Sequence, residues 1–193
     1  MTDRRVSAIV LAGGRSSRFG RDKLAEPIGG RSLLDHAIDS VRPFAPQIIV
    51  VGAPDAAPAL SADVTLVRDP IAFEGPLAGL LAGFGASKEP VVLVIGGDMP
   101  SIVGAVVDSM LEALGPTVDA VVLEDEGRPR PLPMVLRRDP AVEAATDLYA
   151  TGERRLRTLT QHLETHTIPE ATWRLLDPRG LTLHDVDTPA DLP

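Results

Sequence analysis

The sequence predicts an α/β fold, a single three-layer domain with a mostly parallel central sheet between two layers of helices. Short apolar, β-branched runs alternate with stretches of helical apolar spacing, the pattern of strands joined by helical crossovers. A chain of 193 residues fits one domain of ordinary size, with enough length to cover both faces of a sheet. No internal repeat or convincing linker divides it, so residues 1–193 are expected to form one domain.

Taken in order, residues 6–11 form a buried strand that empties into a glycine-rich loop. Ser32 is placed to cap a helix, Leu33, Leu34, Ala37, Ile38 and Val41 follow at helical spacing, and Pro43 ends it. Strands are expected over residues 48–51, 64–67, 91–95, 120–123 and 134–136, and helices over 77–86, 102–114, 141–149 and 154–162. Residues 127–133, Gly-Arg-Pro-Arg-Pro-Leu-Pro, read as a stiff connection that shapes a turn or a pocket edge.

Charge narrows the function. The net charge of −8 argues against a nucleic-acid surface. Residues 1–31 nevertheless hold seven Arg and Lys against three acids, while the remainder holds 12 basic and 24 acidic residues. Positive charge gathered around one loop of an acidic protein suits a small polyanion captured locally. The chain has no cysteine, which excludes disulfides, thiolate zinc sites and cysteine nucleophiles. Neither a signal peptide nor an apolar run near the roughly 20 residues of a membrane span is present, so a cytoplasmic enzyme with no membrane partner is expected. The four histidines share no metal-ligand spacing, and Ser16 and Ser17 have no evident base for acyl transfer.

The loop runs Leu11-Ala12-Gly13-Gly14-Arg15-Ser16-Ser17-Arg18-Phe19-Gly20-Arg21-Asp22-Lys23. Its glycines permit close backbone approach, and its cations can neutralise phosphate. It is not a P-loop, since five residues separate Gly14 from Gly20 and Arg21 follows, nor is it the dinucleotide G-x-G-x-x-G. A polar surface loop would explain Gly-Gly alone, but not Arg18, Gly20 and Lys23 in the same short connection. Downstream, Asp98-Met99-Pro100 follows a strand. Asp98 there can form the turn, or can hold Mg²⁺, which typically takes one or two protein carboxylates. Asp69 likewise can cap a turn before Pro70.

The run Leu-Ala-Gly-Gly-x-Ser-x-Arg-Phe-Gly-x-Asp-Lys resembles the signature loop of the MobA-like nucleotidyltransferases, and the likeness extends from Leu11 to Leu192. It implies a Rossmann-like domain that binds a nucleoside triphosphate. By position, Arg18 and Lys23 contact the phosphates, and Leu11, Ala12, Gly13 and Gly14 lie near base and phosphates. Asp98 becomes the Mg²⁺ ligand, with Gly97 where the family commonly has Cys. Gly75-Pro76-Leu77-Ala78-Gly79 matches a Gly-Pro-Leu-x-Gly turn beside the nucleotide, and Asp69 matches a nucleotide-associated carboxylate. Gly52 stands where guanylyltransferases often carry Asn. Gly152-Glu153-Arg154-Arg155 resembles a stretch near the second substrate, where Arg154 or Arg155 would grip the acceptor; a solvated helix start is the other reading. Asp187, in an Asp-Thr-Pro that resembles a closing Asn-Thr-Pro motif, would bind substrate or complete the metal site.

The implied activity is that of a molybdenum cofactor guanylyltransferase, which joins GMP from GTP to molybdenum-molybdopterin and releases pyrophosphate. Transient contact with proteins that make or accept the cofactor is implied too. Use of CTP or another phosphorylated acceptor is the nearest alternative. A nucleotide-binding regulatory protein without turnover is the alternative of a different kind.

Overall fold

The computed structural model describes residues 5–13, 23–55, 57–69 and 74–186. Strands β1 (Val6–Ala12), β4 (Gln47–Gly52), β5 (Val64–Arg68), β6 (Val91–Gly96), β7 (Ala120–Asp125), β8 (Arg128–Arg137) and β9 (Thr165–Ile168) form one sheet in the order β5-β4-β1-β6-β8-β7-β9. A separate two-residue pair joins β2 (Pro27–Ile28) to β3 (Arg31–Ser32). Only β8 runs against the other strands of the large sheet. Alternation within β1 builds the three layers. Ala8 and Val10 pack with α1 (Leu33–Val41), α3 (Gly104–Ala113) and α6 (Glu170–Trp173), while Ile9 packs with α2 (Pro76–Ala86), α4 (Arg138–Ala150) and α5 (Leu156–His162).

The expected strands and helices appear at their expected places, with ends shifted by a few residues. Ser32 caps α1 in a reciprocal box: its hydroxyl accepts from Asp35 N–H at 3.1 Å, and its own N–H donates to the Asp35 carboxylate at 3.1 Å. Two parts differ from the sequence-based reading. The edge strand β9 is short and carries no clear apolar run, so its parallel pairing with β7 had no local signal. The proline-rich residues 127–133 are not simply a connection, because residues 128–133 belong to β8. β6 pairs only with residues 134–137 of β8, so the preceding half is bonded to β7 alone and is locally an edge. Prolines are tolerated there because one side of the strand needs no ladder donors. That overhang extends past the carboxyl end of β6.

The sheet reverses its order between β1 and β6, and in such folds ligands bind beyond the strand ends at that point. The chain returns to this place through residues 174–186. Asp177, buried, accepts from Thr182 N–H at 2.7 Å, and Thr182 Oγ1 in turn accepts from Val103 N–H at 3.2 Å. Burial pushes the Asp177 carboxyl up, but hydrogen bonds from Thr182, Leu181 and Gly180 outweigh it and leave the pKa lowered. Such a group stabilises the fold above its unfolded pKa of about 4, and that contribution is lost as pH falls through the lower folded value. Asp177→Asn should therefore cost about 1–2 kcal/mol in urea unfolding at pH 7, with the gap from wild type closing below about pH 4. A gap independent of pH would refute the charge-assisted anchor.

Candidate active site

The site is assembled at the carboxyl ends of β1, β4, β5 and β6. Lys23 begins a single 3-10 turn, Lys23–Ala25, and Leu24 beside it packs against the core below α1. Leu33 N–H donates to Glu26 O at 2.9 Å, which fixes the return of this segment. Lys23 thus points across the switch point, where Nζ lies 2.7 Å from Asp98 Oδ2 and 3.0 Å from the Val186 carbonyl oxygen. Val186 N–H donates to the Asp98 carbonyl at 3.0 Å, so the 184–186 segment is fastened to both partners.

Asp98 does not cap the following helix, whose N-cap is Val103. Its side chain folds back over Gly96: a Cβ on Gly96 would stand only 2.4 Å from Asp98 Oδ1. A side chain there would displace the carboxylate from this position. Gly97 N–H donates to Leu11 O at 2.9 Å, tying the β6 turn to β1. A Cβ on Gly97 would lie 3.3 Å from Leu24, which leaves little room for the family's common Cys.

The other residues expected near the nucleotide converge on the neighbouring corner. The Cβ position of Gly13 is 3.9 Å from Ala53 N and 4.0 Å from the carbonyl carbon of Gly52. Asp69 N–H donates to Gly52 O at 2.9 Å. The Cβ position of Gly79, one turn into α2, lies 3.7 Å from Leu11 and 3.9 Å from Asp69 Oδ2. Leu11, Ala12, Gly13, Gly52, Asp69 and the start of α2 therefore lie together at one corner of the sheet's carboxyl edge. Gly75 opens α2 with φ +94° and backs onto Arg154, whose Cβ would be 2.8 Å from a Gly75 side chain; Leu77 N–H donates to Arg154 O at 3.1 Å.

Arg154 and Arg155 are already engaged. Arg154 lies 4.0 Å from the Tyr149 ring centre, donates to the carbonyls of Tyr149 and Glu153, and reaches Glu74 at 3.5 Å. Arg155 chelates Glu153 at 3.1 and 3.2 Å. Arg155, then the Thr158 hydroxyl and the N–H groups of Arg154 and Arg155, hold the Glu153 carboxyl far below the usual carboxylate range. Arg18, Gly14 and Asp187 lie outside the described residues.

On the other side of Asp98 is a cavity of about 420 Å³, lined by Asp98, Arg130, Leu132, Arg157, Leu183 and Asp185 among others. The sequence reading singled out neither Arg130 nor Arg157. Arg130 stands in a proline-rich run read as a turn or a pocket edge, and Arg157 in the helix expected over 154–162. Only the β8 overhang and the docking of α5 bring them to the site. Among the described residues no group of three or more His, Asp or Glu could hold a metal by itself, and no helix is long and apolar enough to cross a membrane.

The chain is 34% identical over 97% of its length, and 91% of the relative's, to a probable molybdenum cofactor guanylyltransferase of Chloroflexus aggregans. It is 31% identical to one of Mycobacterium marinum, covering 97% of this chain and 92% of that one. The crystal structure of molybdopterin-guanine dinucleotide biosynthesis protein A from Archaeoglobus fulgidus shares the fold, with a TM-score of 0.78 and 20% identity over 96% of this chain and 94% of that one. So does 2-C-methyl-D-erythritol 4-phosphate cytidylyltransferase from Thermus thermophilus, with a TM-score of 0.71 and 18% identity over 95% and 94% of the two chains. The family model for the MobA-like NTP transferase domain matches residues 8–167, and the chain belongs to that nucleotidyltransferase family.

Proposed function

We propose that the chain is a molybdenum cofactor guanylyltransferase, transferring GMP from GTP to molybdenum-molybdopterin and releasing pyrophosphate. The observation that carries the reading is the meeting of Lys23 and Asp98 at the sheet's switch point, in a chain whose relatives are named for this activity. The reaction brings a phosphate nucleophile to a triphosphate, so positioning and charge neutralisation dominate its barrier. The attacking acceptor oxygen is already anionic and needs no general base. It bonds to the α-phosphorus as the α–β bridging bond breaks, and pyrophosphate leaves with that bond's electron pair.

Each residue has a task in this scheme. Lys23, with Arg18, neutralises the triphosphate and the departing pyrophosphate. Leu11, Ala12, Gly13 and Gly52 lie beside the base, where Asp69 accepts from the N1 and N2 donors of guanine, donors that cytosine lacks. Asp98 fits a magnesium ligand: it is a hard oxygen donor, folded over Gly96 and already facing a cation in Lys23. Magnesium held there would neutralise phosphate oxygens as the two anions approach.

A panel of nucleoside triphosphates with molybdenum-loaded molybdopterin tests the reading, scored for dinucleotide product and pyrophosphate. GTP should exceed CTP by about 100-fold or more in kcat/KM, because the wrong base leaves Asp69 without its donors. Preference for CTP overturns the base assignment. Nucleotide binding without pyrophosphate release for any member of the panel favours the regulatory protein instead.

A further inference from the structure

The acceptor's grip on the protein can be assigned from the cavity beside Asp98, an assignment that rests on the functional reading above. An acceptor whose phosphate attacks GTP must bring a doubly charged group next to the triphosphate. It needs cations of its own, separate from those that hold the donor. The arginines suggested by the family pattern already have acidic partners. Arg155 pairs with Glu153 at the surface, and Arg154 meets Tyr149 and Glu74 behind the start of α2.

Arg130 and Arg157 are placed differently. They line the same cavity as Asp98, so a group held by them is next to the proposed reaction centre. Arg157, exposed in the first turn of α5, has no side-chain hydrogen bond or ion pair among the described residues. Among the described residues Arg130 has one ion pair, to Asp125, at 3.6 Å, beyond ordinary hydrogen-bond length. The β8 overhang that carries Arg130 has β7 on one side and no β6 partner on the other. It can therefore wall the cavity without being covered by the sheet. Leu132, Leu183 and Met99 add apolar lining beside the two guanidinium groups, which suits an acceptor with a phosphate at one end and a largely planar or apolar body.

We propose that Arg130 and Arg157 clamp the phosphate of a phosphomonoester acceptor in the cavity beside Asp98 and present its oxygen to the α-phosphorus of the nucleotide. Guanidinium forks bind phosphate oxygens in pairs, so the clamp would both neutralise and orient the nucleophile.

Two measurements test the clamp separately from the identity of the reaction. In turnover with GTP and molybdenum-molybdopterin, Arg130→Gln and Arg157→Gln should each raise the acceptor KM about 10–100-fold while the GTP KM stays within about twofold. Arg157→Lys should recover part of the loss, and Arg128→Gln, an exposed arginine in the same hairpin but outside the cavity, should behave as wild type. The second measurement is titration with inorganic phosphate, followed by phosphorus NMR, in a Lys23→Ala background that weakens the donor loop. Adding Arg130→Gln and Arg157→Gln together should weaken phosphate binding at least about tenfold. Far-UV circular dichroism confirms that the variants are folded. An unchanged acceptor KM with unchanged phosphate affinity overturns the clamp, as does a larger loss in Arg155→Gln than in either clamp variant. Phosphate binding lost in the double variant, with no turnover by wild type on GTP and molybdopterin, supports the clamp and sinks the guanylyltransferase reading.

Discussion

Asp98→Asn is expected to lower kcat by about 10³-fold while the protein stays folded. The substitution keeps the shape of a side chain that lies over Gly96 and faces the Lys23 ammonium. It removes the negative charge and replaces one oxygen by a donor, which can neither face Lys23 nor bind a cation. The amide oxygen can still accept from Lys23, and the Val186 carbonyl remains its second partner, so the melting temperature should move by no more than about 4 °C. Pyrophosphate release reports the chemistry. Mn²⁺ titration by electron paramagnetic resonance, with an uncleavable GTP analogue present, reports the cation site and should show binding at least about tenfold weaker. Turnover near wild type would end the assignment of Asp98. So would a loss of activity that only follows a loss of folded protein.

How much of this was legible in the sequence depends on how local each cause is. The parallel core was readable because Val6, Ala8, Ile9 and Val10 are buried by their own pattern, and the Ser32 cap because its chemistry lies within three residues. The antiparallel β8 overhang was not. Residues 128–133 carry three prolines, and a strand there is allowed only because β6 stops short of them, which no local pattern reveals. The site divides the same way. Lys23 and Asp98 stand in loops of distinctive composition directly before and after identifiable elements. Arg130 and Arg157 acquire a role only when a hairpin and a helix, 27 residues apart in their positions, meet beside Asp98. The Arg154-Arg155 pair shows a third case: the motif is readable in the sequence, but the neighbours Glu74 and Tyr149 that Arg154 meets come from other elements and are not.

Lys23→Ala should reduce kcat/KM for GTP by about 10²–10³-fold and stability by only about 1–2 kcal/mol. Its ammonium sits 2.7 Å from Asp98, where it is the carboxylate's counterion. An incoming triphosphate offers more negative charge than one carboxylate and should draw the ammonium toward the phosphates. Lys23 then ceases to compete with a metal for Asp98. The same residue would hold the donor and control when its neighbour accepts a cation. Lys23→Met separates this from a merely structural contact, because it keeps most of the side-chain volume and removes the charge. Without nucleotide, Mn²⁺ should bind Lys23→Met about tenfold more tightly than wild type, since a neighbouring positive charge has been removed. The gain should vanish in the Lys23→Met, Asp98→Asn double variant, which places the coupling between these two side chains. Unchanged nucleotide-free Mn²⁺ affinity would show that the ion pair does not restrain Asp98. Unchanged kcat/KM for GTP would remove Lys23 from the phosphate site altogether.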